Sequence, residues 1–300
     1  MKKRRLAGKI SNLLTILLIV LLLPLLITIL YQKMQINKLF LSVPQSNETT
    51  QNTTEKLVGI VAKEMNADAS FECMKAQCVI ARTNLLAAEE TDTKPPDEMS
   101  LDEMKELWGN YFSELYEKLE QAVNETEGET LQYKNTYIYA AYHAVSAGKT
   151  RNMKELYPES DMPYLCSVEC YDDCSSDNYL AVLYWSKKNF IELCQRKFPE
   201  TVIEEPTDIE ILQKDSTGYV TLIRIGEKQY TGEEFRSALN LNSANFSIKV
   251  EDENVRIVTK GLGHGFGFSQ NYAEKMVEEG SDYKDLLNYF FPGAKLHCSE

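Results

Sequence analysis

The first 45 residues and the rest of the chain follow different hydropathy patterns. Between Lys9 and Lys33 there is no charge, and Leu13 to Tyr31 is apolar apart from Thr15 and Thr28. That length suits a helix crossing about 30 Å of hydrocarbon. Residues 38 to 54 are polar and without periodicity, which reads as a linker. Beyond them the apolar positions take a helical period. Asn52 and Glu55 fit a capping box, and Leu57, Ile60, Val61, Glu64 and Met65 fall on one face. A second helix is expected from about Ser70, with Phe71, Met74, Cys78, Ala81 and Leu85 sharing a face with Arg82. A third is expected from Leu101 to Val123, with Ser100 and Glu103 as its capping box and a packing role only. The Thr91 to Pro96 stretch before it reads as a turn, and Tyr137 to His143 reads as a strand. The expected architecture is α+β. It comprises a tail over 1–9, a transmembrane signal anchor over 10–32, a linker over 33–54, and one large domain over 55–297, with room for two lobes sharing a cleft.

Charge places these parts. Lys2, Lys3, Arg4, Arg5 and Lys9 precede the apolar run with no acidic residue among them, so the N-terminus is expected in the cytoplasm and the large domain outside the membrane. The other reading of the run is a cleaved signal peptide, but no small-residue cleavage site follows it. The formal net charge is −13, and without those five cations the remainder carries −18. Such a surface disfavours nucleic acid and anionic headgroups. It leaves open an uncharged glycan, for which 17 tyrosines and two tryptophans offer stacking faces, although most aromatics serve a core.

Three features carry candidate chemistry. Glu64 lies on an apolar stripe, where desolvation raises a carboxyl pKa and favours the protonated form a general acid needs. At the edge of the stripe, with its head in water, it is an ordinary surface glutamate. Arg82 points inward with its stripe, and a buried guanidinium requires a partner such as a carboxylate. Glu64 is one candidate partner, but a direct pair would oppose its use as an acid. The third feature is the run from Gly261 to Leu296, in which Gly261, Gly263, Gly265 and Gly267 alternate around His264. Such spacing permits positive φ or close backbone approach at several points. Seven cysteines include Cys166, Cys170 and Cys174 at four-residue spacing, which is not a usual zinc spacing, and an odd number leaves at least one unpaired.

These segments together resemble the stage II sporulation protein D family of peptidoglycan lytic enzymes. The resemblance rests on GLGHGFGFSQ with its following helix and Pro-Gly turn, on VGIVAKEMNADASFECMKAQCVIART from Val58 to Thr83, and on AVNETEGETLQYKNTYIYAAYHAVSAGKT from Ala122 to Thr150. PYLCSVECYDD from Pro163 to Asp173 and FRSALNLNSANFSI from Phe235 to Ile248 complete it, so that it covers most of residues 55 to 297. Leu262 stands where the family usually has an aromatic, Asn271-Tyr272 where it commonly has aromatic-Gly-Ala, and Cys166 where it commonly has lysine.

The resemblance implies a lytic transglycosylase that cuts between N-acetylmuramic acid and N-acetylglucosamine, with Glu64 as the catalytic residue. It implies substrate-binding or supporting roles for Arg82, Tyr164, Asp173, His143 and His264. His264 is expected to fix loop geometry. In some members the histidine matching His143 joins cysteines and a second histidine at a zinc ion, but Lys149, Lys154 and Glu155 occupy the positions after the turn here, so no metal or other cofactor is expected. The implied partners are peptidoglycan glycan strands, a peptide-stripping amidase and a further membrane protein, in engulfment of the forespore. A non-enzymatic, glycan-binding activator of an amidase is the alternative. A hydrolase of the same bond is a third reading.

Overall fold

The computed structural model describes residues 46–298, so the tail over 1–9, the apolar segment over 10–32 and the first part of the linker lie outside the described residues. Among the described residues, no helix is long and apolar enough to cross a membrane. Residues Thr54–Glu300 form one α+β unit containing two hydrophobic cores.

The first core begins with α1 (Ser46–Glu64) and α2 (Phe71–Thr91). The stripe on α1 is real: Leu57, Val58, Ile60 and Val61 are all buried. Each such side chain stabilises the fold by about 1.5–3 kcal/mol. The helix starts before Asn52, so the expected capping box at Asn52 falls inside it. The second start is where the sequence put it, because Ser70 Oγ accepts from Cys73 N at 3.3 Å. The expected third helix divides in two. Its capping box at Ser100 and Glu103 forms, but Gly109 takes φ 52° and ends α3 (Leu101–Trp108) before α4 (Phe112–Glu125) begins. Only glycine enters that backbone region without strain.

A three-stranded sheet packs beside these helices, with β1 (Glu129–Tyr133) central, β2 (Thr136–Tyr137) at one edge and the C-terminal strand Lys295–Cys298 at the other. The expected strand from Tyr137 to His143 is not continuous. It divides into β2 and β3 (Tyr142–His143), and between them Ala140 is held by a side chain rather than a strand. Asn84 Nδ2 donates to Ala140 O at 2.9 Å, and Ala140 N donates to Asn84 Oδ1 at 2.9 Å. The amide thus reproduces the double hydrogen bond of a ladder.

After the short α5 (Met153–Leu156) the chain builds its second core. Here β4 (Leu180–Ser186), α6 (Lys187–Lys197), β5 (Ile209–Lys214), β6 (Val220–Ile225), β7 (Lys228–Tyr230), α7 (Gly232–Leu239), β8 (Phe246–Val250) and β9 (Asn254–Lys260) follow in turn. They form two antiparallel sheets, β4-β9-β8 and β5-β6-β7, with Phe190, Phe235, Phe246, Ile223 and Ile257 buried in the core they share with the helices. The glycine run then returns the chain to the first core through β10 (Phe268–Ser269), α8 (Gln270–Glu278), α9 (Tyr283–Phe290) and β11 (Lys295–Cys298). β10 pairs in parallel with β3, Phe268 opposite Tyr142 and Ser269 opposite His143.

All four alternating glycines take positive φ, as their spacing suggests. All four are fixed by contact as well: a Cβ at Gly261 would stand 2.7 Å from Val145 O, and one at Gly263 would stand 2.7 Å from the Cβ of His143. A Cβ at Gly267 would stand 2.1 Å from Ala141 O, and one at Gly265 would stand 2.5 Å from the Tyr219 ring. The loop therefore presses its backbone onto β3 on one side and onto the second core on the other.

Candidate active site

Glu64 is the last residue of α1, and its side chain is half-buried rather than sealed in the core. This is the edge-of-stripe arrangement. Its carboxyl lines an open cavity of about 490 Å³ whose other walls include Asn84, Tyr137, Tyr139, Tyr142 and Tyr164. Pockets of about 300–1,000 Å³ accommodate small organic ligands and short segments of larger ones. Tyr142 faces Glu64 directly: burial, joined by the hydrogen bond to Glu64 and the charge of Glu64, pushes its hydroxyl pKa far up. The phenol keeps its proton and serves as a donor to the Glu64 carboxyl. A smaller cavity of about 280 Å³ shares Tyr137, Met162 and Tyr164 and continues toward Tyr133, Lys134 and Asp161. The groove is therefore longer than one pocket and rich in aromatic faces.

The opposite wall comes from a segment expected to be a plain turn. Thr91, Thr93, Lys94, Pro95 and Pro96 all line the cavity of Glu64. Met99 N, at the end of that loop, donates to Gly59 O on α1 at 2.9 Å, which ties the wall to the helix that carries the carboxyl.

Of the other residues expected at the site, only Tyr164 lines the cavity, where its hydroxyl accepts from Tyr139 N at 3.2 Å. Arg82 does not meet Glu64. Its guanidinium donates to Val123 O at 3.0 Å and Glu129 O at 3.1 Å, joining the end of α4 to the start of β1. A buried guanidinium can be satisfied by the carbonyls a helix leaves unpaired at its C-terminus, without a carboxylate. Arg82 also lies two residues from Asn84, about 200° around α2 from the face that lines the cavity.

Asp173 is fully buried outside the cavity. It accepts from Ser146 N at 2.8 Å, Ser269 Oγ at 2.7 Å and Asn271 Nδ2 at 2.9 Å. Burial raises its pKa, and these hydrogen bonds pull the other way. The two histidines sit behind Tyr142 with ring centroids 5.9 Å apart. His143 Nδ1 donates to Phe266 O at 3.0 Å, so its proton is on Nδ1 and Nε2 is left buried without a partner. His264 Nδ1 accepts from Phe266 N at 3.0 Å, which places its own proton on Nε2. Both histidines fix the loop and neither reaches the cavity. Among the described residues, no group of three or more His, Cys, Asp and Glu is arranged to hold a metal ion.

The most heavily engaged side chain near the loop was not singled out by any sequence pattern. Arg151 is fully buried; Nε donates to Asp215 at 2.8 Å, and Nη1 donates to Glu233 at 3.0 Å and to His264 O at 3.2 Å. Its guanidinium lies between the rings of Tyr219 and Phe266, each centroid 4.6 Å away. It joins the second core to the glycine loop.

A family model described as SpoIID, Stage II sporulation protein, matches residues 46–133, the stretch from the start of α1 to the end of β1. Over 275 residues the chain is 31% identical to Stage II sporulation protein D of Bacillus amyloliquefaciens, covering 85% of this chain and 78% of that protein. Over 268 residues it is 30% identical to Stage II sporulation protein D of Bacillus subtilis (strain 168), covering 84% of this chain and 76% of that protein. The chain belongs to the stage II sporulation protein D family. It is also 26% identical over 290 residues to the Amidase enhancer of Bacillus subtilis (strain 168), covering 80% of this chain and 40% of that protein.

Family membership sharpens what the geometry separates. The matched stretch holds Glu64 and Arg82 on adjacent helices, yet only Glu64 opens on the cavity. Cys166 is half-buried and absent from the cavity lining. The histidine pair adds a pH signature. Burial, ahead of all other causes, pulls His143 down from 6.5 to about 4. A histidine whose folded pKa is depressed binds its proton more readily in the unfolded chain, so stability contributed above pH 6.5 is lost as pH falls toward 4. The loss is on the order of 3 kcal/mol. Urea unfolding at pH 7 and pH 4.5 should show it, and His143→Asn, which retains a donor toward Phe266 O, should reduce that slope without abolishing it, because burial pulls His264 down as well, to about 3.

Proposed function

We propose that this family member is a lytic transglycosylase acting on the glycan strands of peptidoglycan, anchored in the membrane through residues 10–32 with its N-terminus in the cytoplasm. The observation that carries the reading is Glu64, held at a helix end on the wall of an open groove lined with tyrosines. Sugar rings stack their apolar faces on such side chains while their hydroxyls remain hydrated or bonded. Membership of the family and the 26% identical amidase enhancer support a cell-wall role in sporulation.

In this mechanism one carboxyl serves both halves of the reaction. Glu64 as the acid gives its proton to the oxygen between N-acetylmuramic acid and N-acetylglucosamine, and the bond to the anomeric carbon breaks with its electron pair going to that oxygen. The sugar left behind is oxocarbenium-like. Its own 6-hydroxyl oxygen then closes on the anomeric carbon, and the hydroxyl proton passes to the Glu64 carboxylate, restoring the acid. Neither an activated water nor a second carboxylate is required. That agrees with a cavity in which Glu64 is the one acidic residue among the lining side chains. Tyr164 and the neighbouring tyrosines hold the strand. A peptide-stripping amidase upstream and a further membrane protein complete the engulfment setting.

A second reading is favoured by the identity to the amidase enhancer and by Cys166 at the family's lysine position: a glycan-binding activator of an amidase. Mass spectrometry of products from purified, peptide-free strands separates the readings. The transglycosylase leaves 1,6-anhydromuramoyl ends, whereas reducing ends mark a hydrolase. Binding without cleavage by the intact protein supports the activator.

A further inference from the structure

Gln270 sits where the glycine loop enters α8, and its side chain reaches away from that helix to the end of α1. Nε2 donates to Glu64 O at 2.9 Å and to Gln77 Oε1 at 3.3 Å, so both of its hydrogens are engaged and the amide plane is fixed. Gln77 is itself fully buried on α2. The carbonyl Gln270 holds belongs to the last residue of α1, one of four that a helix cannot pair internally. Such ends fray unless something outside the helix ties them down.

Gln270 is also braced on both sides. Ser269 Oγ and Asn271 Nδ2 both donate to the buried Asp173 carboxylate, at 2.7 and 2.9 Å, and Asn271 N donates to Ala144 O at 3.0 Å. Ser269 is fully buried in the strand paired with β3. A rigid bracket therefore stands directly behind the side chain that grips the Glu64 backbone from the loop.

We propose that Gln270, held by the Asp173 bracket, is the positioning residue for Glu64. This rests on the transglycosylase reading of Glu64. By pinning the terminal carbonyl of α1, Gln270 fixes where the carboxyl emerges on the cavity wall, and Asp173 acts through it without entering the groove. A displacement of about 1 Å at a reacting group costs up to about 100-fold in rate. The loop that carries His264 and the helix that carries Glu64, far apart in sequence, thereby form one catalytic unit.

The test uses the full-length chain carrying Gln270→Met, which retains length and volume but removes the donor. Expected are a fall in kcat of about 10- to 100-fold with KM within about twofold, and a displaced Glu64 carboxyl resonance in protein labelled with 13C-glutamate, the resonance being assigned by its loss in Glu64→Gln. Asn271→Ala, which loosens the bracket but keeps Gln270, should produce a smaller loss of kcat in the same direction, and it carries the test if Gln270→Met fails to fold. Unchanged kcat with an unmoved resonance overturns the proposal. So does a rise in KM with kcat intact, which would assign Gln270 to substrate contact. If the unsubstituted protein releases no anhydro product, the transglycosylase reading falls. The resonance then decides the role of Gln270 by itself: displacement sustains it and an unmoved signal overturns it.

Discussion

Replacing Glu64 with glutamine is expected to reduce release of 1,6-anhydromuramoyl fragments by about two to four orders of magnitude, the usual contribution of a positioned general acid-base group. Glutamine keeps the size of the side chain, so the tyrosine-lined walls and the Gln270 contact to the backbone carbonyl should persist. Only the proton is lost. Glu64 is half-buried at the cavity wall, where exchanging its carboxyl for an amide leaves no sealed cavity or orphaned buried group. The thermal midpoint should therefore stay within a few degrees, and sedimentation with insoluble glycan should show binding retained. Liquid chromatography with mass spectrometry on peptide-free strands is the measurement. Equal activity of the two proteins would remove Glu64 from the chemistry. Loss of activity with loss of fold would say nothing about proton transfer, which is why the midpoint is measured beside it.

The period of apolar residues was enough to place Glu64 on the stripe of the first helix and to give the faces of the first two helices, because a helical stripe depends only on local spacing. It was not enough to place the carboxyl. Periodicity gives a direction around the axis but not the point where the helix stops, and Glu64 gains its access to the groove by standing at that point. The same limit explains Arg82. Its inward direction was legible, yet its partners are carbonyls of Val123 and Glu129, and nothing in a side-chain pattern marks a free carbonyl. The continuous strand expected over Tyr137 to His143 failed because Ala140 takes its ladder bonds from Asn84, 56 residues earlier. Thr91 to Pro96 looked like a connection and proved to be a wall of the cavity, since a turn's composition does not show which surface it lies against. The glycine spacing was the most informative signal. It reported positive φ and close approach correctly, and it did so because only glycine tolerates both.

Arg151→Met is expected to cause the largest loss of stability of any single change near the site. The partners of Arg151 lie 64, 82 and 113 residues away, which is why no local pattern exposes it. Methionine fills much of the volume between Tyr219 and Phe266 but brings neither charge nor donors, so the Asp215 carboxylate, whose side chain is 3% exposed, keeps a negative charge with no cation beside it. Deleting one partner of a buried ion pair costs about 3–5 kcal/mol. Against a total stability of about 5–15 kcal/mol this is a large fraction. In a domain of this size it corresponds to a fall of roughly 10 °C in the thermal midpoint. Arg151→Lys should recover little, because a single ammonium cannot bond Asp215, Glu233 and His264 O together while stacking between two rings. The double variant Arg151→Met with Asp215→Asn should recover part of the loss, since it removes the carboxylate that the single change leaves uncompensated. Differential scanning calorimetry of the three variants reads this directly. A midpoint unchanged in Arg151→Met would mean that desolvating the arginine costs as much as its contacts return, and that the loop is held by its glycine contacts instead. If the midpoint falls as expected, activity should fall with it, because the carbonyl of His264 that Arg151 grips lies in the same loop that ends at Gln270 and the carbonyl of Glu64.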